Sequence, residues 1–465
     1  NWNRRVVMIQ KTKMRELDPN IRKRNFEEVA IGYTEEEAIQ EAKRCIQCKN
    51  PRCVSGCPVN VYIPEFISEV AKGNFEAAHL ILLKQNSLPA ICGRVCPQET
   101  QCEGKCVVGI RNEPVGIGRL ERFVADYYMA NVEEKIPEIE KNNIKVGVIG
   151  AGPAGLSCAS ELGKLGYDVT IFEALHVPGG VLLYGIPEFR LPKEIVKKEI
   201  ANIEKLGVKI QKNVIVGRSI TIDELKEDGY KAIFIGSGAG LPKFMNIEGE
   251  HLNGVYTANE FLTRVNLMKA YDPKKNPTPV KIGKNVAVLG GGNVAMDAAR
   301  TAMRLGAENV YVVYRRSESE LPARLEEIHH AKEEGIIFKF LTLPKKILGK
   351  DKWVVGMECQ EMELGEPDEK GRRKPIETDR AFTLDMDTVI VAIGQSPNPL
   401  IRQTTPGLEV QSWGGIIVEE ETMQTTKEDV YAGGDVVTGA ATVILAMGAG
   451  KIAAKSIDAK LNKNK

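Results

Sequence analysis

The sequence lacks any run of about 18 or more uncharged apolar residues, so no membrane-spanning helix is expected. It also lacks an excess of charge of either sign: 63 basic side chains against 62 acidic ones leave a formal net charge of +1. Without a global field to attract polyanions, neither nucleic acid nor an anionic membrane is expected as a partner. No apolar leader-like segment follows NWNRRVVMIQKTKMRELD, which points to the cytoplasm as the expected location. Hydrolytic constellations are missing as well. There is no Ser–His–Asp or HExxH arrangement and no amidotransferase N-terminal nucleophile. Cysteine itself is scarce over most of the chain. Beyond residue 106 only Cys158 and Cys359 remain, each in an apolar context that suits a small buried hydrophobe.

The other eight of the ten cysteines crowd into the first quarter: Cys45, Cys48, Cys53, Cys57, Cys92, Cys96, Cys102 and Cys106. In a reducing compartment such a cluster holds metal more readily than disulfides. By spacing, Cys45, Cys48 and Cys53 can wrap one cubane, while Cys57, followed by Pro58, belongs to another and the second run completes both. Zinc accepts the same thiolates but carries no electrons, and the rest of the chain is built for electrons.

A length of 465 residues with 43% hydrophobic content suits about three domains. The first 140 residues read as helical. Thr34 and Glu37 form a capping box for TEEEAIQEAKRC, and IPEFISEVAKGNFEAAHLILLKQN repeats its apolar residues at helical spacing. A charged stretch, residues 131–143, then leads to KVGVIGAGPAGLSCASELGKLGYDVTIFEA, a strand, a glycine turn, a helix and a second strand. Gly150, Gly152 and Gly155 there present backbone N–H groups and a helix N-terminus to a pyrophosphate. Glu173, at the end of the second strand, can accept from ribose hydroxyls. A second copy starts about 140 residues later, with Gly290, Gly292 and Ala295 and with Asn293 inside the turn. Where the first copy has Glu173, the second has Arg315 and Arg316, whose guanidinium groups complement the 2′-phosphate of NADP. NADPH is therefore expected at the second site.

FAD is expected at the first. Asp435, next to Gly434 in AGGDVVTGAATVILAMGAG, can bond the ribityl chain, and a helix beginning near Ala440 or Ala441 can aim its positive end at the flavin N1/O2 locus. The expected fold is α+β and multidomain: an N-terminal α-helical domain for two 4Fe-4S clusters (1–140), then two Rossmann-like dinucleotide-binding domains, one inserted in the other. The boundaries are 141–250 for the first part of the FAD domain, 251–385 for the NADP(H) domain and 386–465 for the second part of the FAD domain.

VGVIGAGPAGL, GGGNVAMDAARTAMRLGA, VYRR and AGGDV, behind CxxCxxxxCxxxCP and CGRVCPQETQCEGKC, resemble the glutamate synthase small-subunit family. Its relatives include the electron-input half of dihydropyrimidine dehydrogenase and the large subunit of NADH-dependent reduced ferredoxin:NADP oxidoreductase, a bifurcating transhydrogenase. The resemblance implies that Cys106 completes the first cluster with Cys45, Cys48 and Cys53. It gives the second cluster Cys57, Cys96 and Cys102, with Glu121 as a non-cysteine ligand, and leaves Cys92 out. Taken without the resemblance, Glu121 is a surface carboxylate paired with Arg119 or Arg122. The resemblance also sets GGVLLYGIPEFRLPKE, opening at Gly179 and Gly180, beside the isoalloxazine ring. Arg190 is then expected to bond near flavin N5 and Glu188 to handle a proton.

With no terminal substrate site in the chain, electrons are expected to leave for another polypeptide. Three readings follow. The first is the transhydrogenase large subunit beside a small flavin and 2Fe-2S subunit, with ferredoxin as a further partner, a reading the wording of YGIPEFRLPKEIV favours. The second is the small subunit of NADPH-dependent glutamate synthase beside its large subunit. The third is a nucleotide-binding scaffold without redox activity.

Overall fold

The computed structural model describes residues 10–132, 138–369, 371 and 373–462. The first nine residues, and residues 133–137 of the charged stretch expected to link the first two domains, lie outside them. The N-terminal region is helical: Glu35–Ala42, Ile63–Ala71, Phe75–Leu83, Pro89–Val95 and Ile117–Asn131 carry its core. Thr34 caps the first as its spacing to Glu37 predicts, with Oγ1 accepting from Glu37 N at 3.2 Å and Glu37 Oε2 accepting from Thr34 N at 2.7 Å. The long apolar stretch from Ile63 is not one helix. Gly73, at a φ of +81°, breaks it in a conformation only glycine adopts cheaply.

Phe66, Ile67, Leu82, Ile91, Leu120 and Val124 are fully buried, and they share one continuous apolar core with Val148 and Leu156 of the next unit and with Met447. The thiol-bearing domain is therefore fused to the flavin unit. Each fully buried aliphatic side chain contributes about 1.5–3 kcal/mol.

Two parallel five-stranded sheets follow. The first has the spatial order Val430–Ala432, Ala232–Ile235, Lys145–Ile149, Asp168–Glu173, Lys209–Lys212. The second runs Val255–Thr257, Thr388–Val391, Asn285–Leu289, Asn309–Val313, Ile337–Lys339. The first sheet is split by the second, as the repeat predicts, but the return boundary lies later than the expected 385. Thr388–Val391, assigned to the FAD domain from sequence, pairs with Val255–Thr257 and Asn285–Leu289 and belongs to the inserted unit. The chain passes between the units where Leu241–Pro242 pairs antiparallel with Gln395–Ser396. An antiparallel three-stranded sheet, Thr342–Lys350, Trp353–Pro367 and Arg373–Leu384, is an unforeseen addition to the inserted unit. Ile347, Val354, Met357 and Cys359 anchor it against Val313 and Val389. Cys158 and Cys359 are fully buried. Among the described residues, no helix is long and apolar enough to cross a membrane.

Candidate cofactor and cluster sites

The first glycine turn is shaped by close approach. A Cβ on Gly155 would stand 1.9 Å from Gly150 O, and one on Gly150, at a φ of +97°, would stand 2.6 Å from Gly236 O. Around Gly152 there is open space, so the amides at the start of the helix Pro153–Lys164 face room for a phosphate. Glu173 sits against this turn, its Oε2 accepting from Ala151 N and its Oε1 from Leu175 N, both at 2.8 Å. Burial raises its carboxyl, while these amides pull it down.

Gly180, at a φ of +54°, brings the segment beginning GGVLLYG over the turn, its Cβ position only 3.0 Å from Gly152 Cα. Tyr184 from this segment senses the charges of Asp435 and Glu173, and burial first, then those charges, pushes its phenol up to about 12. Asp435 Oδ1 accepts from Ala441 N at 3.2 Å. The helix expected from Ala440 or Ala441 begins at Val443 instead. Gly439, at a φ of +77°, delays it, and Thr442 Oγ1 accepts from Leu445 N at 3.3 Å in its first turn. Gly434, also at +77°, lies against Ala154.

Glu188 accepts from Lys193 N at 3.2 Å, and burial raises its carboxyl. Lys193, which sequence reasoning missed, anchors the loop by donating to Leu182 O at 3.0 Å, Leu191 O at 3.2 Å and Ile186 O. Burial lowers its ammonium to about 7. Arg190 is buried, with two of its nitrogens held by carboxylates. Nη1 meets Asp297 Oδ1 and Oδ2 at 2.7 Å each, and Nε meets Glu327 Oε1 at 3.0 Å. Both carboxylates belong to the inserted unit, so Arg190 ties the two nucleotide units together.

The second turn repeats the first. A Cβ on Gly290 would lie 2.3 Å from Ala392 O, Gly292 faces open space and Ala295 is fully buried. Asn293 opens the helix Asn293–Arg304, and its Oδ1 accepts from Arg324 N at 2.9 Å. Arg315 is exposed beyond the strand Asn309–Val313, whereas Arg316 Nε donates to Arg373 O at 3.2 Å. Of the two guanidinium groups, Arg315 is the freer to meet a phosphate.

Cys45, Cys48, Cys53 and Cys106 line one cavity walled by Ile63, Ile67, Val115 and Ile117. Burial, and after it the charges of Cys106 and Cys45, pushes the Cys53 thiol up to about 11. Cys57, Cys96, Cys102 and Glu121 form a second set: Cys57 feels the charges of Glu121 and Cys96, Cys96 that of Glu121, and Cys102 those of Glu121, Cys96 and Cys57. Burial leads in raising Cys57 to about 11, with Glu121 and Cys96 adding to it, and burial and then the Glu103 charge push Cys102 well up, with Glu121 and Cys96 adding. Thiols that oppose one another's ionisation in an apolar wall fit a metal centre, which turns the crowding into ligation.

Glu121 is buried in the helix Ile117–Asn131 rather than set on the surface. Arg119 donates to Thr12 O and Arg122 to Ala30 O, while Glu121 Oε1 accepts from Asn86 Nδ2 at 2.7 Å. Burial pushes its carboxyl up to about 7. Cys92 Sγ lies 3.6 Å from both Asn86 Oδ1 and Met447 Sδ. Asn86 thus contacts Glu121 and Cys92 together, a link no spacing rule reveals.

Residues 22–133 match the family described as dihydropyrimidine dehydrogenase domain II, 4Fe-4S cluster, and residues 144–450 match pyridine nucleotide-disulphide oxidoreductase. The chain is 37% identical over 447 residues to the NADPH glutamate synthase small chain of Escherichia coli (strain K12), covering 94% of each. It is 39% identical over 431 residues to the NADP(+)-dependent formate dehydrogenase subunit beta of Moorella thermoacetica, covering 87% of this chain and 59% of that one. Among solved structures, Mycobacterium tuberculosis FprA in complex with NADPH superposes with a TM-score of 0.59 at 21% identity over 69% of this chain and 85% of that chain, a likeness of fold. The glycine cradles and facing thiols suit FAD, NADP(H) and 4Fe-4S clusters, and with these matches the chain belongs to the glutamate synthase small-subunit family of NADP-dependent oxidoreductases.

Proposed function

We propose that this chain is the NADP(H)-linked electron-transfer subunit of a larger complex, most specifically the large subunit of a bifurcating transhydrogenase that works beside a small flavin and 2Fe-2S subunit, with ferredoxin as a further partner. The observation that carries the electron-transfer reading is the continuity of the flavin unit with the second thiol set. Met447, on the helix that runs from the flavin site, touches Cys92, and Gly448 lies against Pro58 O, next to Cys57. The flavin supplies hydride exchange with the nicotinamide and one-electron release, and the clusters supply one-electron steps.

The chain's own residues bind and orient. Gly150, Gly152 and Gly155 back the FAD pyrophosphate, Glu173 accepts from its ribose, and Gly180, Gly434 and Asp435 close over the rest. Gly290, Gly292, Asn293 and Ala295 form the NADP(H) turn, with Arg315, supported by Arg316, at the 2′-phosphate. Glu188, whose carboxyl is raised by burial, is assigned the proton-handling role. Arg190 acts by position, holding the loop that bears Glu188 against Asp297. Cys45, Cys48, Cys53 and Cys106 form one ligand set and Cys57, Cys96, Cys102 and Glu121 the other.

The similarity to glutamate synthase small chains over nearly their whole length favours a second reading, delivery of NADPH electrons to a glutamate synthase large subunit. Anaerobic purification of the native complex, with identification of the co-eluting subunit by mass, tests both. A small flavoprotein carrying 2Fe-2S is expected. A large glutaminase-bearing chain would establish the second reading instead, and a chain that elutes alone would refute the subunit assignment.

A further inference from the structure

Arg324, just ahead of the helix Leu325–Glu333, stands where the inserted unit meets the thiol domain. Its side chain is 6% exposed. Its backbone N–H donates to Asn293 Oδ1 at 2.9 Å, at the first residue of the helix that follows the Gly290–Gly292 turn. Its guanidinium reaches the other way, Nη1 to Arg94 O at 3.1 Å and Nη2 to Gln98 Oε1 at 2.8 Å. Gln98 lies two residues beyond Cys96 and is itself fastened to Cys92 O and Gly93 O, both at 3.4 Å. One residue thus holds the nucleotide turn by its backbone and the loop of the second thiol set by its side chain. Neither the glycine motif nor the cysteine spacing calls for such a residue.

The electrostatics run in the same direction. The buried guanidinium sets its charge against the loop that carries Cys96, through Gln98 two residues on. Two carboxylates face the guanidinium, Glu326 Oε2 at 2.8 Å and Glu99 Oε1 at 3.5 Å. Their side chains are 34% and 26% exposed, so water screens their charge more than that of the buried guanidinium.

We propose that Arg324 couples the nucleotide turn to the second thiol set. Its cation stabilises the electron added to a cluster held by Cys57, Cys96, Cys102 and Glu121, and its tie to Asn293 lets a nucleotide on Gly290–Gly292 alter that stabilisation. The inference rests on the ligand sets assigned under Proposed function. Arg324 touches neither thiol nor nucleotide and is a positioning residue. Linkage makes the effect reciprocal: the factor by which nucleotide favours reduction of the cluster is the factor by which reduction tightens nucleotide binding.

The test is an anaerobic redox titration of the full holoprotein, with each cluster followed separately by electron paramagnetic resonance. It is run with and without 2′-phospho-ADP-ribose, which fits the turn but carries no nicotinamide. Arg324→Gln is expected to move the second cluster to lower potential, leave the Cys45, Cys48, Cys53 and Cys106 cluster unchanged, and abolish the shift that the fragment causes in the wild-type protein. Arg324→Lys keeps the charge but loses the fork to Arg94 and Gln98, so most of the potential stays and the fragment response weakens. The coupling is overturned if the wild-type protein shows no fragment-induced shift, if the second cluster is unmoved in Arg324→Gln, or if both clusters move together. Absence of a second-cluster signal from the wild-type protein would overturn the ligand assignment and the coupling with it. Two intact signals with unmoved potentials would overturn the coupling alone.

Discussion

Replacing Arg190 by leucine leaves Asp297 and Glu327 buried without the guanidinium that ties both to the other nucleotide unit. The pair is nearly sealed from water, with side chains 7% and 5% exposed and both Asp297 oxygens 2.7 Å from Nη1. Breaking a buried pair by removing one partner costs about 3–5 kcal/mol. Glu327 keeps Arg300, which favours the low end. At about 3 kcal/mol, a unit of this size melts roughly 6–12 °C lower. The loss depends on pH. Burial already pushes the Asp297 carboxyl up to about 6 against the pull of Arg190, and without Arg190 it rises further. A carboxyl raised in the folded state destabilises once pH passes its unfolded value, and the penalty stops growing above its folded value. The deficit of Arg190→Leu relative to the wild type therefore grows from about pH 6 to pH 8 and is smaller at pH 5.5. Thermal unfolding of the anaerobic holoprotein at these pH values reads it, and Arg190→Leu/Asp297→Leu should recover part of the loss. A deficit equal at pH 5.5 and pH 8 would refute the assignment of the cost to an unpaired Asp297.

Gly155→Ala places a methyl 1.9 Å from Gly150 O, where backbone cannot yield, so the variant should purify with little FAD, read from the ratio of flavin to protein absorbance. Arg315→Gln removes the charge-assisted contact proposed to the 2′-phosphate, worth about 1.5–3 kcal/mol, and should raise KM for NADPH about 10–150-fold while leaving KM for NADH unchanged. Cys92→Ala should retain the iron content of the wild type, because the ligand set proposed for the second cluster is complete in Cys57, Cys96, Cys102 and Glu121 without it. Cys102→Ser should lose about half the iron, measured by chelation assay, and equal losses in the two variants would refute the exclusion of Cys92.

What the sequence made legible was whatever short-range spacing can carry. The glycine turns, Glu173 at the end of its strand, the Thr34 cap and the clustering of eight thiols are each set by residues close to one another in the sequence. Features set by distant partners were not legible. Thr388–Val391 is an apolar strand of four residues, equally at home in either sheet, and only its pairing with Val255–Thr257 and Asn285–Leu289 settles the matter. The pairing of Arg190 with Asp297 was not legible because Asp297 is 107 positions away. Asn86 and Arg324 carry no motif at all, and their meaning appears only when the helices that bear them are packed. The late start of the helix at Val443 follows from the backbone of Gly439, which apolar periodicity does not encode.

The splitting of the first sheet also sets an order of assembly during synthesis. Ala232–Ile235 is made early, yet its neighbour Val430–Ala432 is made only after the whole inserted unit. At about 5–20 residues per second the interval is roughly 10–40 s, during which one edge of the unfinished sheet lacks its strand. The inserted unit, whose two sheets both lie between Val255 and Val391, can close in that interval. The flavin unit is then completed on a partner already folded, with the helix Val443–Asn462 arriving after Val430–Ala432 against Pro153–Lys164 and the thiol domain, where Gly450 meets Ala154 and Gly448 meets Pro58. Capture of FAD is thus deferred until the inserted unit and the strand Val430–Ala432 have been made.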